Sequence, residues 1–468
     1  MDKNPEKGED VMKYLLKNGT VVSAEKTEKL DVLINGEKIE RVGAELADAD
    51  ARIIDVSGKL IFPGFIDGHT HFDLEVAGTV TADDFETGTR AALAGGTTMV
   101  VDFASQDKGG HTLKEGLEKW HKKADGKCSC DYSFHMSIVE WNEETEREIP
   151  DMIKEGITSF KLYMTYPAMI VDDCDLYKII KKLKEYDCFA GVHCENAGVI
   201  DAKIEEAKKA GHFGPENHPL VRPDTMEAEA VHRLLVIAKE ADAPVMVVHL
   251  TNKKAYEEIC RARANGQKVY AETCPQYLLL EDSVYSRPDF EGAKFVCAPP
   301  IRKKEDQNCL WDALAKGQIQ TVATDQCSFT MEQKRLGEKD FTKIPGGLPG
   351  VQTRGTLLYT YGVREGRITL EKMCELLSEN PAKLYGVYPR KGVIAEGSDA
   401  DIVIFDPEKE SVISAKTHAY NTDNNPFEGF ELHGDIDKVF LRGTLAVEDG
   451  KVIKEKQGKY IYRGKKQI

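Results

Sequence analysis

Two histidines stand two positions apart in residues 64–71 (GFIDGHTH), directly after the apolar run at 60–62. In a β-strand, side chains at positions i and i+2 point to the same face. His69 and His71 could therefore offer two imidazoles to one metal ion, and imidazole suits zinc and similar divalent ions. Taken alone, such a pair is explained equally well by two ordinary core or surface histidines.

Four further residues that suit a metal site each end a short apolar or β-branched run. They are Lys161 (in 159–163), His193 (in 191–195), His249 (in 247–251) and Asp325 (in 323–326). A single strand-end histidine is more often structural than a ligand, but six such residues together favour a metal centre. The four histidines and the aspartate suffice for two metal ions, although they supply no shared anionic bridge.

Lys161 is the exceptional member of this set, because an ammonium group cannot ligate a cation. A lysine buried beside metal ions shifts toward the neutral amine. The neutral amine can add carbon dioxide, and the resulting carbamate has two oxygens that could bridge both ions. The alternative is an ordinary ion-paired lysine, and the residues alone leave both interpretations open.

The elements that would position these residues alternate between strand and helix. Apolar or β-branched runs lie at 60–66, 97–103, 132–138, 158–164, 188–193, 244–250, 268–273 and 320–324. Helix-like stretches lie between them at 83–94, 175–186, 225–241, 253–264 and 308–316. This alternation predicts an α/β fold with a parallel (β/α)₈ TIM-like barrel, whose chemistry sits where the strands end. A doubly wound open sheet is the alternative, but no GxGxxG or Walker motif follows any strand.

The two ends of the chain are rich in short strands and predict one small β-sandwich domain built from both termini. The pairs Asn35-Gly36 and Asp449-Gly450 are hairpin signals within these ends. We expect a loose extension over residues 1–11, sandwich parts over 12–60 and 391–453, and a metal-dependent catalytic barrel over 61–390. Residues 454–468 then form a C-terminal tail.

The composition excludes several classes of partner. The chain has 468 residues, 41% hydrophobic and 30% charged, and its net charge of −16 argues against nucleic acid or an anionic membrane. It has no run of about 18 apolar residues, so no membrane span is expected. The eleven cysteines form no CxxC pair, which predicts reduced thiols in a cytoplasmic protein.

Several motifs resemble the dihydropyrimidinase and hydantoinase branch of the amidohydrolase superfamily. The resemblance extends from about Tyr14 to Arg463, and its motifs are residues 64–71, 78–90 (GTVTADDFETGTR), 159–166 (SFKLYMTY), 222–223 (RP) with 227–230 (EAEA), 272–277 (ETCPQY) and 397–403 (GSDADIV). It implies a barrel with a binuclear metal centre, usually zinc, with manganese or cobalt also accepted by such ligands. Carboxylated Lys161 would bridge the ions, with His193 and His249 on the more exposed metal and His69, His71 and Asp325 on the buried one.

The resemblance also implies a reaction. A hydroxide bridging the metals would attack the carbonyl carbon of a cyclic amide, opening 5,6-dihydropyrimidines or 5-substituted hydantoins to N-carbamoyl amino acids. Asp325 would accept the proton of the attacking water and pass it to the departing ring nitrogen. Tyr166, in the loop after Lys161, matches the tyrosine that donates to the developing oxyanion.

The substrate contacts show two departures from the pattern of the relatives. Ala298 stands where relatives commonly carry serine, and glycine stands at 346–347 where they commonly carry asparagine. Because the family holds the ureide edge mainly through main-chain groups, Ala298 and Gly347 remain the expected substrate-binding positions. We expect the apolar wall for the ring substituent to be formed by Val76, Tyr163 and Ile170.

Three related functions compete with this interpretation. Dihydroorotase is rejected, because relatives of that kind carry arginine where this chain has Asp73. Allantoinase is a nearer alternative, and a non-catalytic scaffold that has lost its metal ligands is the alternative from a different class. The tail at 454–468 resembles one that packs on a neighbouring subunit, which implies a homotetramer.

Overall fold

Short apolar segments joined by tight turns form the first strands of the chain. The computed structural model describes residues 12–468, so the extension expected over residues 1–11 lies outside the described residues. The strands are β1 (Lys13–Lys17), β2 (Thr20–Val22), β3 (Thr27–Lys29), β4 (Asp31–Asn35), β5 (Lys38–Gly43), β6 (Arg52–Asp55) and β7 (Leu60–Pro63). Gly36, with a φ of 58°, turns the chain between β4 and β5, which confirms the hairpin predicted at this place.

The middle of the chain forms the predicted parallel barrel. Its strands, with a small hairpin of β9 and β10 after the first, are β8 (Phe65–Thr70), β9 (Glu75–Val76), β10 (Thr79–Val80), β11 (Thr97–Ser105), β12 (Asp131–Ser137), β13 (Ser159–Tyr163), β14 (Phe189–His193), β15 (Val245–Val247), β16 (Val269–Thr273) and β17 (Thr321–Val322). Within residues 12–468, the barrel sheet has 8 strands paired in chain order from β8 to β17. A bridge between Thr70 and Gln326 joins the two ends of this order.

The predicted first barrel strand over residues 60–66 is divided between two sheets. β7 pairs with β2 and with a strand from the C-terminal region, whereas β8 pairs with β11 in the barrel. Gly64 lies between β7 and β8, and a Cβ there would overlap the side chain of Thr98. The chain thus passes from one sheet to the other at a residue without a side chain, and the sandwich strands continue past residue 60.

One buried arginine links the first and last strands of the barrel. Arg354 is 1% exposed. Its Nη1 donates to the carbonyl of Ile66 at 2.8 Å and to that of Val322 at 2.9 Å, so that it ties β8 to β17. The Asp67 carboxylate lies 3.9 Å from Nε of Arg354 and balances part of its charge. In residues 12–468, β8 and β17 stand at opposite ends of the sheet order without a ladder between them, so these hydrogen bonds link the two strands in addition to the bridge between Thr70 and Gln326.

Helices pack around the barrel. They are α1 (Phe85–Ala94), α2 (Leu113–Ala124), α3 (Glu143–Lys154), α4 (Asp173–Glu185), α5 (Ala197–Lys209), α6 (His218–Val221), α7 (Asp224–Ala241), α8 (Lys253–Ala264), α9 (Pro275–Leu279), α10 (Lys304–Ala315), α11 (Met331–Lys334), α12 (Arg354–Leu358), α13 (Leu370–Cys374) and α14 (Asn380–Leu384). Short 3₁₀ turns lie at Pro215–Asn217, Asp282–Ser286, Glu291–Phe295, Arg335–Gly337 and Phe341–Lys343, and π-helical turns at Tyr359–Val363 and Glu375–Glu379. In α2, Thr112 caps the first turn, and Leu113, Leu117 and Trp120 form the buried face. Of the helices described, none is long and apolar enough to cross a membrane.

The C-terminal strands join the N-terminal ones in a β-sandwich. They are β18 (Ile402–Val412), β19 (Glu431–Leu441), β20 (Thr444–Glu448) and β21 (Lys451–Val452). One sheet has the order β21-β20-β19-β18-β7-β2-β3 and the other β5-β4-β1-β6. Residues from both chain ends share the core between them, where the rings of Tyr14 and Phe440 meet edge to face at 5.2 Å. The predicted fold class, a barrel with a sandwich made from both termini, is confirmed.

A buried ionic cluster joins the barrel to the sandwich. Lys391 is 1% exposed, and its ammonium contacts Asp131 of β12 at 2.6 Å, Asp399 at 3.3 Å and Asp401. Arg442 also binds Asp131. The carboxylates come from both structural parts, so the cluster fixes their relative positions.

We expect Lys391→Met to lower the free energy of unfolding by about 3–5 kcal/mol, because it leaves buried carboxylates without their central cation. The measurement is the urea midpoint followed by circular dichroism. Lys38→Met is the matched control, since Lys38 pairs with the same Asp399 from a side chain that is 51% exposed. That exposed pair should contribute about 1 kcal/mol or less, and equal losses in both variants would contradict the prediction.

The C-terminal tail packs under its own barrel, at the end where the strands begin. The peptide N–H of Tyr132 donates to the carbonyl of Lys459 at 3.1 Å, and that of Ile461 donates to Tyr132 at 2.8 Å. The guanidinium of the buried Arg463 donates to the hydroxyls of Ser133 at 3.0 Å and Ser159 at 2.7 Å. These contacts lie within one chain, and the expected contact of the tail with a neighbouring subunit stays a prediction.

Candidate metal centre and substrate cavity

A cavity of about 800 Å³ opens where the barrel strands end. Its walls include every residue that the sequence predicts as a metal ligand: His69, His71, Lys161, His193, His249 and Asp325. Three of them lie on strands, since His69 belongs to β8, Lys161 to β13 and His193 to β14. The parallel order of the strands therefore brings residues that are far apart in the chain to one rim.

Asp325 lies between His69 at the end of the first barrel strand and His71 directly after it. Its Oδ1 is 3.2 Å from Nε2 of His69 and 3.1 Å from Nε2 of His71. Ligand atoms of these three residues all lie within 4.8 Å of one another, so that they could hold one ion. The ring centroids of His193 and His249 lie 4.5 Å apart and form a second group beside the first.

Two buried carboxylates orient the histidine rings. Glu272 lies 2.7 Å from Nδ1 of His69, and Glu195 lies 2.7 Å from Nε2 of His193. A ring nitrogen that donates to a carboxylate leaves the other nitrogen as a lone-pair donor for a metal. Burial opposes the charge of Glu195, yet Arg222 and His193 lower its pKa to about 2. Sequence reasoning missed both carboxylates, although each stands in or directly after a buried strand.

The protonation and bonding of the imidazoles fit a metal site. Burial lowers the pKa of His69, His193 and His249, so these rings stay neutral and can act as ligands. Among the described residues, Nε2 of His69 and Nδ1 of His249 are buried without a hydrogen-bond partner. Buried polar atoms are rarely left unpaired, and a divalent ion at each of the two histidine groups would give each of these nitrogens a partner. The nitrogen and carboxylate donors suit zinc, manganese or cobalt.

Lys161 lies fully inside the barrel, with 1% of its surface exposed. Its Nζ is 5.1 Å from the ring centres of both Phe103 and Tyr163. Burial lowers the pKa of Lys161 to about 8, although Asp325 and Glu272 act in the opposite direction. The neutral amine that carbamate formation requires is thus more populated than in an exposed lysine.

Three of the predicted site residues hold a left-handed backbone, with a φ of 67° at Tyr166, 38° at His249 and 55° at Asp325. Such conformations are costly for residues with a side chain and need support from their surroundings. For Asp325 the support comes from Gln326, whose Oε1 accepts from the N–H groups of Gly350 at 2.6 Å and Val351 at 3.1 Å. The side chain of Gln326 thus holds the neighbouring loop in place.

Tyr166 lies beside the second histidine group. Its ring centroid is 5.1 Å from that of His193, and the guanidinium carbon of Arg222 lies 5.5 Å from the ring centre. Burial raises the pKa of Tyr166, so its hydroxyl keeps the proton that it would donate. Arg222 and Tyr166 both line the cavity.

The structure changes one of the two expected main-chain contacts to the substrate. Gly347 lines the cavity, but its N–H already donates to the carbonyl of Val296 at 2.9 Å and is not available to a ligand. The adjacent Gly346 also lines the cavity, and a Cβ there would approach nothing more closely than Cys297 at 4.0 Å. Ala298 lies on the cavity wall as expected.

The apolar wall is formed partly by residues other than those expected. Val76 and Tyr163 line the cavity, but Ile170 does not, because a turn closed on the carbonyl of Tyr166 brings Met169 to the wall instead. The other apolar side chains of the wall that sequence reasoning missed include Leu74, Ala168, Ile204, Val221, Phe341 and Ile344. They belong to loops and helices whose approach to the rim no local pattern indicates.

Comparison with known proteins identifies the family of the chain. Residues 60–446 match the model of the amidohydrolase family. A D-hydantoinase from Geobacillus stearothermophilus is 46% identical over 97% of each chain, and one from Streptomyces coelicolor is 43% identical over 93% of this chain and 94% of the other. The crystal structure of a dihydropyrimidinase from Brevibacillus agri superposes with a TM-score of 0.96 at 44% identity, covering 97% of this chain and 99% of that one.

These similarities imply a binuclear metal centre, and His69, His71 and Asp325 form one ligand cluster for it. They also confirm the resemblance noted in the sequence. The chain therefore belongs to the amidohydrolase family, within the hydantoinase and dihydropyrimidinase group of hydrolases that act on cyclic amides.

Proposed function

We propose that this chain opens 5-substituted hydantoins and 5,6-dihydropyrimidines by hydrolysing the cyclic amide bond, with N-carbamoyl amino acids as products. The observation that carries the proposal is the meeting of six ligand-type residues in one cavity at the carboxyl ends of the barrel strands. The similar D-hydantoinases and dihydropyrimidinase favour these rings over allantoin. The same six residues argue against a scaffold that has lost its ligands.

We assign two divalent ions to the cavity, with zinc as the expected metal. His69, His71 and Asp325 would hold one ion, and His193 and His249 the other. Lys161, as N6-carboxylysine, would hold both. When bound, two such ions lower the pKa of a water between them, so that a hydroxide nucleophile is available near neutral pH.

Asp325 and Tyr166 then carry the protein's part of the reaction. Asp325, with Oδ1 at 3.1 Å from Nε2 of His71, takes the proton of the attacking water and passes it to the departing ring nitrogen. Tyr166 donates its hydroxyl proton to the oxygen on which negative charge develops. The main-chain groups near Ala298 and Gly346 hold the ureide edge, while the apolar wall receives the ring substituent.

We expect Tyr166→Phe to lower kcat by about 10²–10³-fold, because it removes one donor to the oxyanion. Metal content should not change, since the tyrosine is not among the assigned ligands. Tyr177→Phe on α4 is the matched control, because its hydroxyl only contacts Lys181 at 3.3 Å on the surface. Steady-state rates with 5-phenylhydantoin make the measurement, and an unchanged kcat in Tyr166→Phe would refute the assigned role.

The proposed function is tested by initial ring-opening rates with the metal content of the same sample quantified. The substrates are dihydrouracil, hydantoin, 5-phenylhydantoin, allantoin and dihydroorotate. Opening of the first three supports the proposal, whereas opening of allantoin or dihydroorotate alone contradicts it. A protein with about two metals per chain and no turnover would refute the substrate class, and a protein with neither metal nor turnover would favour the scaffold.

We further propose a homotetramer in the cytoplasm. The eleven cysteines are all free thiols, which suits a reducing compartment. The tail also leaves Tyr462 62% exposed, so an aromatic surface remains for a neighbouring subunit. Light scattering after gel filtration at micromolar concentration should give four chains per particle, and a clean monomer would contradict the assembly.

A further inference from the structure

A buried lysine outside the metal centre binds only main-chain oxygens. Lys334 ends α11 and is 1% exposed. Its Nζ donates to the carbonyls of Val296 at 3.0 Å, Pro345 at 2.7 Å and Gly347 at 2.9 Å, which uses all three N–H bonds of the ammonium group. Among the ion pairs of the described residues, none includes Lys334. Burial lowers its pKa to about 8.

Burying the ammonium group of Lys334 costs more free energy than packing in this region requires. Burying an ammonium group without a counter-charge costs several kcal/mol, and the carbonyls recover that cost only through charge-assisted hydrogen bonds, which are stronger than neutral ones. Such bonds also fix geometry tightly. The three carbonyls belong to two separate segments, residues 296–298 and 344–347, and both segments contribute to the wall of the cavity.

The shortest of the three hydrogen bonds, to the carbonyl of Pro345, affects the peptide N–H that follows it. The carbonyl of Pro345 and the N–H of Gly346 belong to the same peptide group. A cation that binds the carbonyl oxygen polarises that group and makes its N–H a stronger donor. Gly346 lines the cavity, and in a trans peptide group its N–H points away from the Pro345 carbonyl and therefore away from Lys334.

We propose that Lys334 is a positioning residue for substrate recognition, which clamps residues 296–298 against 344–347 and strengthens the N–H of Gly346 toward a ureide carbonyl. The inference rests on the proposed function and deepens it. The lysine acts through the main chain and contacts none of the six assigned metal residues. It should therefore affect the binding of the ring and leave the metal centre intact.

The test compares Lys334→Met with Lys294→Met in the full-length, metal-loaded protein, using 5-phenylhydantoin. Lys294 is the matched control, because it lies next to the same segment but pairs with Glu291 at 2.7 Å. We expect KM to rise about 10–100-fold in Lys334→Met, with kcat changed much less and metal content equal to that of the parent. Lys294→Met should resemble the parent.

A second variant keeps the inference testable if Lys334→Met folds poorly. Lys334→Ala lacks the atoms of n-propylammonium, so this ion should lower the raised KM, whereas n-propanol should not. An unchanged KM in a folded variant would overturn the inference, and so would a loss of kcat and metal together without a change in KM. Absence of ring opening by the parent chain would instead overturn the proposed function.

Discussion

Lys161→Ala is expected to lose most of its bound metal and to lower ring opening by on the order of 10³-fold or more, since the metals supply several kcal/mol of transition-state stabilisation. Lys161 is buried in the cavity where the predicted ligands meet, and alanine cannot form the carbamate that we propose there. Without the proposed carbamate, the two ions would lose the one anionic ligand that they are proposed to share. Metal analysis and initial rates on the same preparation make the measurement.

Two controls show whether the carbamate or the lysine itself is needed. Lys178→Ala on α4 removes an exposed lysine that pairs with Asp175 at 3.4 Å, and it should keep both metal and rate. Short carboxylic acids added to Lys161→Ala should restore part of the activity, because a carboxylate can take the place of the carbamate oxygens. Full metal occupancy in Lys161→Ala would contradict the bridging role.

Asp325→Asn should lower kcat by about 10²–10⁴-fold, the usual contribution of a general base. Asparagine keeps the shape of aspartate and one oxygen that can face the ion, but it cannot accept the proton of the attacking water. The variant should therefore lose rate even when saturated with metal. Rates measured at several metal concentrations separate the loss of proton transfer from any weakening of metal binding.

Asp73→Asn is the matched control for Asp325→Asn. Asp73 follows His71 on the same rim, and its backbone φ of 51° is a value that asparagine tolerates well. Its carboxylate pairs with Lys123 at 3.7 Å and makes no contact with the predicted ligands. We expect Asp73→Asn to open the ring at a rate close to that of the parent. Equal losses of kcat in both variants would show that Asp325 has no special role.

The sequence by itself determined the barrel and the set of residues at its rim. Parallel strands are buried on both faces, so they appear in the sequence as short apolar runs. Such runs can be recognised without knowing which strands pair with each other. A residue such as His193 or Lys161 stands out because a polar side chain in such a run is unusual. Since all strands of a barrel end on one side, their order in the chain already places these residues together.

Tertiary structure alone decided contacts between segments that are distant in the chain. The apolar run at 60–66 gives no sign that its two halves join different sheets, because strand pairing depends on partners such as β18 and β11. In the same way, Met169 rather than the expected Ile170 lies at the cavity wall because of one turn in a loop.

Lys334 and Arg463 show the same limit for charged residues. A charged side chain such as lysine or arginine is expected at the surface. Both residues are buried nevertheless, and their hydrogen-bond acceptors come from other parts of the chain. Their environment is set by the sum of many long-range contacts, and no local pattern encodes that sum. The sequence thus determined which residues can do the chemistry, and the tertiary structure determined which groups hold them in position.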